Sequence, residues 1–143
     1  HEPYARIRNV VSDCCHREQG TIVSTLQNLF SELNVSEGPL AVMSGASGVE
    51  PVTSDELAFL QGLEDCGYQV VIRAHGTCLG HTVEAHFTAG VCLAALALAA
   101  NRFLPPSDEN WVEVPFEGEL SRVLVTGLGH WRGEGLALLE RVQ

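Results

Sequence analysis

Apolar residues recur along this chain with two periods, and each change of period marks an element. Residues 4–11 alternate and are rich in branched side chains, which predicts a strand. Within residues 20–33, Ile22, Leu26, Leu29, Phe30 and Leu33 fall at helical spacing. A short apolar run at 39–43 predicts a buried second strand, followed by a turn at 44–51. The next helix is expected to be capped by Thr53 or Ser54 ahead of Glu56, to carry the Leu57, Leu60 and Leu63 stripe, and to close at Gly67. Residues 68–72 predict a third strand. From 84 to 100 nearly every position is apolar, so this long helix should need burial on more than one side, and Pro105 and Pro106 prevent its continuation. Segments 111–116, 122–126 and 135–141 predict three further strands, separated by Pro115, Gly118 and a Gly-rich loop.

This order predicts an α/β fold: a mixed sheet of five to six strands, helices packed on it, one long buried helix, all in a single domain over residues 1–143. Right-handed crossovers would bring the loops after Met43 and Ile72 to the same strand-end face. The 45% apolar and 18% charged residues suit a packed core. A net charge of -10, with only eight Lys and Arg and no cluster among them, argues against a nucleic-acid partner. The apolar tract at 85–100 is interrupted by His86 and Thr88 and falls short of the roughly 20 residues a membrane helix needs, so no membrane partner is expected. No basic stretch precedes a small-residue cleavage site, and a cytoplasmic location is the expectation. The five cysteines, Cys14, Cys15, Cys66, Cys78 and Cys92, form no disulfide framework. At least three are expected to pack in the interior.

Candidate chemistry centres on Gly80-His81-Thr82 followed by Ala85, at the passage from the third strand to the long helix. This segment resembles the glycine–histidine stretch before the central buried helix in the C-terminal half of the β-ketoacyl-acyl-carrier-protein synthases, the condensing enzymes of the thiolase-like fold. Residues 101–106 resemble the stretch leading to that family's paired prolines, and Leu128-Gly129-His130 resembles its glycine- and phenylalanine-rich loop. The resemblance covers most of the chain. In such enzymes a cysteine takes the acyl chain from a carrier-protein thioester, and two histidines assist decarboxylation of a malonyl thioester whose carbanion attacks the acyl group. The resemblance implies that His81 donates a hydrogen bond to the thioester oxygen and developing enolate. It places His130 at the substrate gate and requires no cofactor. The implied partners are an N-terminal half or related synthase subunit, in a homo- or hetero-dimer, and an acyl carrier protein.

The chain departs from the family pattern at defined positions. Gly45-Ala46-Ser47-Gly48-Val49 stands where the first histidine belongs, and Gly76, five positions before His81, stands where a lysine belongs. Glu84, His86 and Phe87 replace small residues, and none of the five cysteines matches the nucleophile, which belongs to the N-terminal half. The reading is therefore a non-catalytic or degenerate synthase-like subunit in fatty-acid or polyketide-type biosynthesis, incomplete without its partner. The alternative is the working half of a divergent synthase that catalyses decarboxylative Claisen condensation with a cysteine from the missing half.

Other patterns compete with this one. His75, Cys78, His81 and His86 have donor types that zinc accepts, which offers a different class of function. Residues 44–48 lack both the G-x-S-x-G pattern and a P-loop ending, so a plain turn explains them. Asp55 and Glu56 suit the first turn of a helix. Glu113, Glu117 and Glu119 read as a solvated sheet edge, and Trp111 and Trp131 as interface anchors or core residues.

Overall fold

The computed structural model describes residues 3–18, 20–107 and 112–142. Five strands, β1 (Arg6–Asp13), β2 (Pro39–Ser44), β3 (Gln69–Ala74), β4 (Arg122–Leu128) and β5 (Glu134–Glu140), form one mixed sheet in the order β1-β5-β4-β2-β3. β2 runs parallel to β3 and β4, whereas β5 is antiparallel to β4 and β1. The sixth strand expected at 111–116 does not form among the described residues: Trp111 lies outside them, and 112–116 is irregular. Pro115 has no N–H for a ladder, and Glu113 turns inward.

Alternation along the strands divides the core into two layers. Leu40, Val42, Leu124 and Leu138 face one side, where they pack against α1 (Thr21–Glu32) and α2 (Val52–Asp65). Ala41, Met43, Val123 and Val125 face the other, beneath Ala94, Ala97 and Leu98 of a long helix. Gly67 closes α2 as expected: at φ 95 it allows the Gly67 N–H to bond the Glu64 carbonyl and the Tyr68 N–H to reach that of Leu63. The start of α2 differs. Pro51 is the cap residue, the Glu50 carboxylate rather than Thr53 or Ser54 accepts a first-turn N–H, that of Ser54 at 3.3 Å, and Thr53 is buried. A proline fits there because its fixed φ and missing N–H cost nothing at a helix start.

Beyond β3 the chain forms a short helix, α3 (His75–Leu79), then a 3-10 turn, Val83–Ala85, and α4 (His86–Ala99). The long helix expected at 84–100 is thus present with a broken first turn. Its outer side remains open, with Leu96 55% exposed. The cysteines also depart from expectation: Cys14, Cys66, Cys78 and Cys92 are exposed and Cys15 is half-buried. Cys66 caps α2, and Cys92 lies on the open side of α4. Among the described residues, no helix is long and apolar enough to cross a membrane.

Because β1, β2, β3 and β4 point the same way, their carboxyl ends share one rim of the sheet. The segments after β1, after β2, at 75–85 and at 129–133 therefore converge there. This is the rim where open α/β sheets place their ligands.

Candidate functional site

The floor of the rim is polar, although apolar strands surround it. Glu56, from the second turn of α2, is 1% exposed and accepts hydrogen bonds from Ser44 Oγ at 2.5 Å and from Thr126 Oγ1. Ser44 Oγ also accepts the Ala46 N–H at 3.0 Å, and Thr126 Oγ1 accepts the Gly45 N–H at 3.2 Å. Burial raises the Glu56 carboxyl above its ordinary range; bonds from Ser44, Thr126 and the Gly45 N–H oppose that rise. The helix-start explanation of Glu56 is accordingly corrected: its side chain ties β2, β4 and the 44–48 turn together.

Histidines line the space above this floor. His75 at the start of α3 and His86 at the start of α4 are both buried, while His81 is half-buried between them in sequence. The His86 Nε2–H donates to the Gly45 carbonyl at 2.6 Å, and His75 Nε2 lies 3.2 Å from the His86 carbonyl. His81 accepts the Val83 N–H at Nδ1 (3.3 Å), and its Nε2 faces the Leu128 carbonyl at 3.5 Å. Burial, and then the neighbouring His86 ring, hold His75 below the ordinary imidazole value. Cys78 is exposed, and among the described residues no group of three His, Cys, Asp or Glu side chains is placed to hold a metal ion. The His75, Cys78, His81 and His86 set therefore does not assemble as a zinc centre.

Three glycines mark close approaches in the site. A Cβ on Gly45 would stand 3.1 Å from His86 Nε2 and 3.1 Å from the Thr126 carbonyl oxygen. The imidazole of His86 thus takes up room beside the position where the family resemblance calls for a histidine. A Cβ on Gly76 would come within 2.5 Å of the Ala46 carbonyl oxygen, so a lysine has no place there while the two loops stay in contact. Phe87 closes a further gap, since a Cβ on Gly127 would meet its ring at 2.6 Å. Gly45→His is expected to destabilise the chain by about 2 kcal/mol or more through overpacking. Removing the competing ring in Gly45→His/His86→Ala should recover at least half of that loss, a coupling read from a double-mutant cycle in urea.

The segment at 129–133 is held from below. Arg17 pairs with the buried carboxylate of Glu134 and donates to the Gly129 carbonyl at 2.6 Å, while the Gly129 N–H bonds the Gly133 carbonyl at 2.7 Å. His130 is exposed on this loop, its ring 6.0 Å from that of His81. Trp131 is 84% exposed, which excludes the core role. Cys15 approaches from the end of β1, where its N–H bonds Glu134 at 3.0 Å. Burial pushes its thiol up, and Glu134 adds to the effect, so it is a poor nucleophile.

Glu113 also departs from its reading as a solvated edge. It is 2% exposed, accepts the Ala74 N–H at 2.7 Å and the Ser107 N–H at 2.5 Å, and fastens the segment after α4 over the end of β3. Neither Glu113 nor Glu56 carried a periodic signal as a buried residue. Only the distant donors each one satisfies explain its position.

The arrangement has the fold of ketosynthase domains. The ketosynthase from module 1 of the bacillaene synthase from Bacillus amyloliquefaciens FZB42 superposes with a TM-score of 0.77 at 18% identity, over 98% of this chain and 30% of that one. The ishigamide ketosynthase/chain length factor gives 0.73 at 15% identity, over 98% of this chain and 38% of that one. A type II polyketide synthase acyl-carrier protein in complex with its ketosynthase, bound to the hexaketide, gives 0.69 at 9% identity, over 97% and 34%. Identities this low establish a thiolase-like fold, and the chain spans about a third of the length of these structures. No family model and no curated protein sequence matches the chain.

Proposed function

We propose that this chain is the C-terminal half of a ketosynthase-like subunit in fatty-acid or polyketide-type biosynthesis, with a structural rather than catalytic part in its assembly. The observation that carries the reading is the residue at 45: a glycine offers no side-chain donor there, and the His86 ring, bonded to the Gly45 carbonyl, stands against it. The tight approach of Gly76 to Ala46 supports it, because the lysine position is sealed as well. His81 is the remaining candidate donor toward a thioester, and His130 the residue at the gate position.

The partner in this reading is an N-terminal half or related synthase subunit, with an acyl carrier protein as a further contact. The open side of α4, with Leu96, and the exposed Ile7 and Val10 of β1 are apolar surface suited to such a partner. Native and intact-mass spectrometry, with the co-purifying polypeptide and an acyl carrier-protein thioester, tests the proposal. The expected result is a stable assembly with no new acyl mass on either chain. An acyl adduct on a cysteine of the partner would instead make this chain the working half of a split synthase.

A further inference from the structure

A cavity at the β3 edge of the sheet shares no residue with the rim groove lined by His81, Leu128 and Gly129. Its volume is about 310 Å³, at the lower end for a small-molecule pocket. Most of its wall is aliphatic: Met43 from β2, Leu79 from α3, Leu93 from α4, and Leu104 and Pro105 from the segment after α4. In the parallel β2–β3 ladder Arg73 stands beside Met43, which puts its side chain on the α4 side of the sheet and into the same wall. Arg73 is 3% exposed.

The guanidinium is only partly satisfied. Nε donates to the Leu104 carbonyl at 2.5 Å, Nη1 donates to the Ile72 carbonyl at 2.6 Å, and the Phe103 ring covers one face at 5.0 Å. These contacts fasten the segment after α4 to β3. They leave Nη2 without an acceptor among the described residues, and no carboxylate there stands within ion-pair distance of Arg73. Glu113 lines the cavity too, but its oxygens accept the Ala74 and Ser107 N–H groups. Burial lowers the Arg73 pKa, and Glu113 offsets only part of that effect. Buried charges are normally paired, so a spare guanidinium nitrogen beside an aliphatic cavity is half of an ion pair.

We propose that this cavity binds an aliphatic monocarboxylic acid, with the carboxylate on Arg73 Nη2 and the chain against Leu79, Leu93 and Leu104. The head and the tail do different work. A guanidinium–carboxylate bond is charge-assisted and fixes orientation, whereas the tail gains from leaving water for the aliphatic wall. One spare nitrogen suits a monoanion. A dianion such as phosphate would bring a second charge against Glu113 with no cation to balance it, because burial keeps His75 neutral. The site stands apart from the rim, and the inference does not rest on the ketosynthase reading.

Titration of the isotope-labelled protein, with any chain that co-purifies, against sodium octanoate and followed by amide NMR tests the site. Saturable shifts are expected at Ala74, His75, Leu79 and Ser107, with the β1 and β5 amides unmoved. Acetate keeps the head and loses the tail, and octanol keeps the tail and loses the charge; each should bind at least about tenfold more weakly. Leu79 is 55% exposed, so a charge there leaves the fold intact. Leu79→Lys should bind octanoate about tenfold more tightly than Leu79→Glu, while octanol should not distinguish the two variants. Three results overturn the proposal: no saturable shift at the cavity, octanol binding as tightly as octanoate, or equal octanoate affinity in the two Leu79 variants.

Discussion

Gly76→Ala is expected to lower the unfolding free energy by about 3 kcal/mol or more, a larger loss than alanine normally causes at a helix end. The added Cβ would lie 2.5 Å from the Ala46 carbonyl oxygen and 3.0 Å from that of Gly45, both backbone atoms that cannot rotate away. Relief requires the 44–48 turn and α3 to separate. That separation would also disturb the Gly45 carbonyl, which accepts from His86, and the Gly45 N–H, which donates to Thr126. Gly76→Lys, which would supply the lysine that the condensing-enzyme resemblance calls for, should be at least as damaging. Urea unfolding of the purified variants checks this; stability within about 1 kcal/mol of wild type would mean the two turns do not meet in solution.

Glu56→Leu should cost about 3 kcal/mol or more, since it leaves the hydroxyls of Ser44 and Thr126 buried without their acceptor and loosens the Gly45 turn. Glu56→Gln retains an acceptor oxygen of the same reach and should cost clearly less. The pair differs from wild type in pH dependence too. Burial raises the carboxyl in the folded chain, so the native state binds more protons than the unfolded state between the ordinary Glu value, about 4.3, and the folded one. The stabilisation is present below the ordinary value and is lost as pH rises toward the raised one. Across that window wild-type stability should fall relative to Glu56→Gln, and denaturation at a series of pH values would show it. A constant difference between the two proteins would mean that Glu56 titrates as an exposed carboxylate.

The elements whose hydrophobic pattern is local are legible in the order of residues alone. The α1 stripe, the alternating inward residues of β2 and the Gly67 stop all follow from spacing and backbone chemistry, and each element lies within a few residues of its expected bounds. The expected strand at 111–116 failed because the chain there answers to a distant demand: Glu113 is drawn inward by the Ala74 and Ser107 N–H groups. The cap expected at Thr53 or Ser54 did not form either, and the Glu50 carboxylate accepts the Ser54 N–H instead. Thr53 is buried at the start of α2, and the cap position fell to Pro51. The site shows the same division. His81, His86 and Gly76 could be picked out by motif and spacing, but their relations could not, because they depend on three loops meeting at the rim.

By itself the sequence determined the alternation of strands and helices, the acidic balance, the presence of histidines between β3 and α4, and the absence of a histidine or lysine side chain at positions 45 and 76. These are consequences of residue type and short-range periodicity. Tertiary structure decided that a glutamate in the second turn of α2 would become the buried polar floor, that the His86 ring would stand against Gly45, and that four histidines would align in one column. The reason is physical: a buried donor, acceptor or void must be satisfied by whatever side chain the fold brings to it, and the partner can be tens of residues away.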